Sequence, residues 1–273
     1  MDPQQRKQFL DSRVDTFNRK AFIQDDPISI PHLFTQKQDR EIAGLWTALI
    51  SWGQRKTILR SAHRLMDWMG NEPYRFVMEH RAMDRKPFLS FVHRTFNGED
   101  ACRFLEFFQR YYHAEECLEQ AFTKGISPGD AHVESALVHF RTVFEQFVPD
   151  AGRTLKHVST PLHGSRCKRL LMFLRWMVRK DEQGVDFGIW PNISPAQLLM
   201  PLDVHVDRVA RKLGLLTRKQ CDWKAVLELT EQCRKMDPKD PVRYDFALFC
   251  LGLEIHSGQG EIGLAGYATG LKY

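Results

Sequence analysis

The feature that most constrains this chain is the spacing of its apolar residues. From Asp39 onward they recur three and four positions apart. Ile42, Leu45, Trp46, Leu49 and Ile50 form one stripe, and Ile58, Ala62, Leu65, Met66 and Met69 form another. Residues spaced in this way share one face of an α-helix, whereas a half-buried strand alternates at every second position. No run alternates over a strand's length and no internal repeat is present, so the chain reads as all-α. The two stripes are parted by Ser51–Gln54, where Gly53 can break the helix, and Gly70 supplies a stop. This is a helical hairpin with a short polar elbow.

The remaining elements follow from the same signals. Residues 4–20 suit a short helix of mixed charge, 23–34 a proline-broken loop, and 71–98 short helices joined by loops. Asp100–His113 is a strongly aromatic helix. Its Phe104, Phe107, Phe108, Tyr111 and Tyr112 fall at helical spacing and so belong to a core. Helices are expected at Leu118–Thr123, Asp130–Phe147, Val204–Leu213, Trp223–Met236 and Val242–Leu251, the last two parted by a DPKDP stop. Val148–Pro161, rich in Pro, Gly and hydroxyl residues, reads as a crossing between subdomains. The expected division is 1–148, 149–252 and a glycine-rich tail at 253–273.

With 273 residues, 43% of them hydrophobic and 19 of them Phe, the chain can bury a sizeable core, which excludes wholesale disorder. Cys102, Cys117, Cys167, Cys221, Cys233 and Cys250 include no Cys-x-x-Cys pair. That spacing argues against a zinc ribbon, a redox motif or an iron–sulfur cluster and fits reduced thiols in a cytoplasmic protein. No metal or cofactor is expected. The polar N-terminus and the lack of any long apolar run point to neither a leader nor a membrane span.

The formal net charge is only +5, yet the stretch from Ala151 to Lys180 holds Arg153, Lys156, Arg166, Lys168, Arg169, Arg175, Arg179 and Lys180 and no acid. A solvated surface would explain this, but such surfaces usually interleave acids. An anionic partner such as a nucleic acid backbone explains it better. With Lys168 at the start of a helix, Leu170, Phe173, Leu174 and Met177 form its apolar stripe. Lys168, Arg175 and Arg179 then fall on nearly the same side, which predicts a cationic ridge. The preceding HGSRC can leave backbone N–H groups free at a helix N-terminus, a natural phosphate site. Asp203 sits where an N-cap belongs. Its ordinary role is capping, and a carboxylate fixed by cap bonds is also what a catalytic base requires. A lysine and an aspartate converging on a basic cleft would suit amine nucleophile chemistry. Phe187 and Trp190, in the polar loop between the two residues, could line a base pocket or plug the subdomain interface.

Three segments carry a resemblance. GSRCKRLLMFL, with Gly164 and Lys168, resembles the hairpin and lysine of the helix-hairpin-helix DNA glycosylase superfamily, as in endonuclease III. PLDVHVDRVARKLGL, with Asp203, His205, Val206 and Arg208, resembles the segment holding that superfamily's catalytic aspartate. LWTALISWGQRKTILRSAHRLM places Gln54 where the superfamily puts a glutamine into the gap beside the target base. The segments occur in the superfamily's order and span about Asp39 to Leu251.

The chain departs from that pattern in three ways: Arg166 replaces the hairpin's second glycine, the loop between Lys168 and Asp203 is long, and the cysteine quartet is absent. The long loop is more like the archaeal 8-oxoguanine DNA glycosylase group. KRLLMFLRWMVRKD and DFGIWPNIS also resemble a family of uncharacterised bacterial proteins.

The resemblance implies a two-lobed helical fold with a helix-hairpin-helix motif, and a base-excision glycosylase with possible lyase activity. It would act as a monomer, associated with the nucleoid, on double-stranded DNA bearing a damaged base, an oxidised purine such as 8-oxoguanine being favoured. Lys168 and Asp203 would be catalytic. Gln54, Gly164, Ser165, Arg166, Arg169, Arg175 and Arg179 would contact DNA, and Phe187 and Trp190 the flipped base. Two alternatives stay open: a non-catalytic DNA- or RNA-binding protein on the same fold, and an all-α protein–protein scaffold.

Overall fold

The computed structural model describes residues 1–256. It is built from α1 (Pro3–Phe17), α2 (Lys20–Ile23), α3 (Lys37–Ile50), α4 (Arg55–Trp68), α5 (Pro73–Glu79), α6 (Lys86–Leu89) and α7 (Gly98–Ala114), followed by α8 (Gln120–Thr123), α9 (Glu134–Phe147), α10 (Lys168–Val178), α11 (Val204–Lys212), α12 (Trp223–Met236) and α13 (Tyr244–His256). The fold is all-α apart from one small hairpin, β1 (Val92–His93) with β2 (Phe96–Asn97). Strands of two residues are too short to show alternation, which is why this hairpin falls within a region expected to hold only helices and loops. The last helix runs past 252 to His256, so the tail expected from 253 begins inside a helix, and its remainder lies outside the described residues.

The aromatic residues of α7 are buried core, as their spacing predicts. The most enclosed element is α10, in which every residue from Leu170 to Val178 is buried. It packs against α3 on one side. On another side the following loop folds back onto it: the N–H of Phe187 donates to the Trp176 carbonyl at 2.7 Å, and that of Ile189 to Met177 at 2.8 Å. Elsewhere α13 packs against α1 and α11. At the α11 crossing a Cβ on Gly252 would lie 2.7 Å from the His205 Cβ, so only glycine permits this approach.

Burial of α10 overturns one expectation. Arg175 and Arg179 are not a cationic ridge facing DNA; they are 4% and 3% exposed. Arg175 donates through Nε to Asp186 at 3.2 Å and through Nη1 to Asp245. Arg179 is paired with Asp240 at 2.8 Å, Asp181 at 2.7 Å and Asp186 at 3.2 Å. Both guanidiniums also lie over the Phe246 ring, at 4.4 and 5.3 Å. The local excess of cations is therefore partly balanced in three dimensions by acids from the loop that follows and from the distant Asp240 and Asp245.

Trp190 is likewise core rather than base pocket. It is 1% exposed, and its indole N–H donates to the buried Glu41 at 2.7 Å.

Removing one partner of a buried charge cluster leaves the others uncompensated. Arg175→Met should therefore lower the unfolding free energy by about 3–5 kcal/mol. Lys180→Ala, at an exposed position a few residues on, should change it by less than about 0.5 kcal/mol. Chemical denaturation of the two variants checks the contrast.

Candidate functional site

Lys168 opens α10 at the one end of that helix that reaches the surface. The chain arrives through Thr160, whose hydroxyl accepts from the Leu162 N–H, and a single helical turn at Pro161–His163. Gly164 then reverses the chain at φ 70°, a left-handed conformation that glycine adopts without a Cβ clash. Arg166, where the resemblance would have a second glycine, has no positive φ. The second left-handed residue is Cys167, at φ 48°. The turn thus has Cys167 rather than residue 166 at its second positive φ, and Ser165 steadies it by accepting from the Cys167 N–H at 3.2 Å.

Cys167 supplies no side-chain cap to α10. The first-turn N–H groups of a helix have no partner within the helix, so this N-terminus is suited to an anion. Beside it lies a recess of about 320 Å³ lined by Arg141, Lys156, Ser159, Thr160, His163 and Ser165, with no carboxylate. A larger cavity of about 630 Å³ lies near the far end of α10, around Asn18, Arg19, Arg179 and Asp240, and includes neither Lys168 nor Asp203.

Asp203 is the N-cap of α11. Its Oδ1 accepts from the N–H groups of His205 at 2.9 Å and Val206 at 3.0 Å. Its Oδ2 faces Lys168 Nζ at 3.7 Å. One carboxylate oxygen is thus spent on the helix and the other is turned to the amine, so capping and pairing are done by the same side chain. The two side chains are 23% and 19% exposed, which shelters the pair but leaves it reachable from solvent. The Lys168 amine also lies 3.4 Å from the Met172 sulfur. His205 holds α11 in place: its ring bonds the Gly252 carbonyl at 3.3 Å and meets Phe249 edge-on at 5.9 Å.

Two further carboxylates belong to this site. Burial pushes the Asp245 carboxyl up to about 6 against the pull of Arg175; Asp203 adds to the rise and Lys168 opposes it. Burial likewise raises Asp26, opposed by its bond from the Ile28 N–H and by Arg175, Arg55 and Lys168. Asp245 is the one acid in the apolar run YDFALFCLGL, which is the sequence signal of a buried carboxylate. Asp26 reads as nothing more than a turn residue before proline.

The elbow stands next to α10. Gln54 is exposed at the N-cap of α4, and its side chain makes no cap bond. Arg169 is not an open DNA contact: it donates to the Leu49 carbonyl and lies 4.5 Å over the Trp52 ring, bracing the elbow. Arg166 is half-buried and donates to the Cys221 sulfur at 3.1 Å. Phe187 packs on His32 at 4.3 Å, beneath the Arg40 guanidinium. Below the elbow lies the buried Asp100. Burial opposes its ionisation, but bonds from His157, the Asn97 N–H and the Thr154 hydroxyl hold its carboxyl down at about 2.

Residues 26–254 match the family described as "Protein of unknown function (DUF2400)". The chain belongs to that family. No curated protein matches the chain, and no solved structure does. Among the described residues no helix is long and apolar enough to cross a membrane, and no group of three or more His, Cys, Asp or Glu is placed to hold a metal ion.

Two outcomes test this geometry. Asp203→Ala removes the cap and should cost about 1 kcal/mol, whereas Asp203→Asn, an equally good cap, should leave stability nearly unchanged by thermal melting. The folded Asp100 carboxyl lies below its ordinary value of 3.8. Its stabilising contribution is therefore complete above about pH 4 and fades as pH falls toward about 2. Over that window the wild-type melting temperature should fall more steeply than that of Asp100→Asn.

Proposed function

We propose that this protein is a DNA base-excision glycosylase with lyase activity, built on a two-lobed helical fold with a helix-hairpin-helix motif. The observation that carries the reading is the division of labour at Asp203, one oxygen fixed by two backbone N–H groups and the other 3.7 Å from Lys168 Nζ. Amine catalysis needs a lysine that can give up a proton and a carboxylate held still to receive it.

The damaged nucleotide is flipped out of the duplex, since its reacting atom is not reachable in the stack. The hairpin amides and the recess beside Gly164 hold phosphates, and Gln54 enters the vacated stack. Asp203 takes a proton from the Lys168 ammonium. The neutral amine attacks the sugar C1′, forming a C–N bond as the base leaves with the glycosidic electron pair and takes the proton that Asp203 had received. The sugar ring then opens as the C1′–O4′ bond breaks and O4′ takes the proton released by the lysine nitrogen; the resulting Schiff base can give up a C2′ proton and lose the 3′ phosphate by β-elimination. Once the proton it received has passed to the base, the Asp203 carboxylate stabilises positive charge on the sugar. An oxidised purine such as 8-oxoguanine is the favoured lesion, and Phe187, which is half-buried, is the aromatic residue available to meet it.

Borohydride trapping on abasic-site and 8-oxoguanine duplexes tests the reading. The wild type should form a covalent adduct, Lys168→Ala none, and the folded Asp203→Asn variant should react more slowly by on the order of 10²-fold or more. Tight, salt-dependent DNA binding with no adduct on any lesion would leave a non-catalytic nucleic-acid binder. Absence of salt-dependent binding would leave a protein–protein scaffold.

A further inference from the structure

A second cationic surface lies across the elbow from Lys168. The hairpin β1–β2 turns through two residues, Arg94 and Thr95, between the paired His93 and Phe96. Arg94 adopts φ 55°, a left-handed conformation that few residue types besides Gly, Asn and Asp enter readily. Its exposed guanidinium is laid against the elbow: a Cβ on Gly53 would lie 3.3 Å from Arg94 Cζ and Nε. Gly53 itself is at φ 104°. A strained arginine at a tight turn, packed onto a glycine that admits it, is an outlier of the kind that accompanies function.

The hairpin is fastened from beneath. His93 bonds the Ser61 hydroxyl at 3.0 Å and the Trp52 carbonyl at 3.2 Å. Thr95 accepts from Arg153 and Lys156, both at 3.1 Å. Hairpin tip and elbow therefore hold one fixed arrangement. The helix that leaves the elbow, α4, turns Lys56 and Arg60 outward, one helical turn apart, and the first acid on that helix is Asp67. Among the described residues Lys56, Arg60 and Arg94 form no ion pair.

Trp52 separates this surface from the catalytic helix. Its ring is covered by Arg169 of α10 at 4.5 Å and stacks on His157 at 5.8 Å. A protein that opens a duplex around an inserted residue must hold two phosphate tracks, one on each side of the gap. The hairpin at Gly164 and the recess beside it serve the strand attacked by Lys168.

We infer that Arg94, Lys56 and Arg60 form a second phosphate track, which holds the complementary strand of duplex DNA on the far side of Gln54. This rests on the reading of Lys168 as facing the lesion strand. Arg94 is its positioning residue, because the Gly53 contact ties its place to that of the elbow.

The test uses the full chain, with binding followed by fluorescence anisotropy on duplex and single-stranded DNA carrying the same abasic site. Arg94→Gly removes the charge and relieves the backbone, so it should fold at least as well as the wild type. It should weaken duplex binding and lower the slope of log affinity against log salt by about one. The triple variant Lys56→Ala/Arg60→Ala/Arg94→Gly should weaken duplex binding by about tenfold or more and lower the slope by nearly three. Single-strand affinity should stay at the wild-type value.

An equal loss on both substrates, or no loss on duplex, overturns the inference. If the wild type gives no borohydride adduct while the triple variant still loses duplex binding selectively, the catalytic reading fails and the second track stands. If the wild type binds neither substrate, both fail.

Discussion

The charge cluster around Arg175 and Arg179 is the constraint on which the rest of the site depends. Two guanidiniums enclosed in a protein interior must find carboxylates, because an unpaired buried charge is costly. Here those carboxylates come from the loop after α10 (Asp181 and Asp186), from the turn before α13 (Asp240) and from α13 itself (Asp245). Satisfying the arginines draws three separate segments onto one helix. The helix ends free at one terminus, and Lys168 stands there. The lysine is thus placed by a helix that has little freedom to move.

A second link runs through the first turn of the same helix. Arg169 meets the Leu49 carbonyl, one of those left without a helical partner at the end of α3, and covers Trp52. The residue next to the candidate nucleophile is therefore a brace for the elbow that carries Gln54. On the other side, α11 approaches α13 closely at Gly252 while His205 bonds across the same crossing, which sets Asp203 opposite Lys168. Asp245 on α13 bonds Arg175 and also senses Lys168 and Asp203. The cluster, the elbow and the lysine–aspartate pair are mechanically one unit.

The parts of this unit differ in how far they could be read beforehand. The α3–α4 hairpin, its polar elbow, the Asp203 cap and the Gly164 turn are local features, written in apolar period and in residue types with special backbone or capping roles. Arg175 and Arg179 mislead because their acids all lie outside the acid-free stretch, from Asp181 just past its end to Asp245, 70 positions from Arg175. An acid-free stretch of sequence looks like a bare cationic surface until the chain folds. Trp190 misleads in the same way, since its partner Glu41 is 149 positions distant. The β1–β2 hairpin is too short for a periodic signal, and Arg94 bears no mark of a left-handed turn residue. Asp245 is a lone acid in an apolar run, a signal of burial that carries nothing about its nearness to Lys168.

The sequence by itself determined an all-α fold, the positions of most helices, and a lysine and an aspartate each at a helix start, because helix period and capping are set by neighbours a few residues apart. Only the tertiary structure decided that these two residues meet at 3.7 Å, that two of the expected DNA-binding arginines are interior struts, and that a third cationic residue, Arg94, stands across the elbow. Those are statements about partners brought together over long separations. Burial, which chooses between a solvated charge and a paired one, does not exist until the chain has packed.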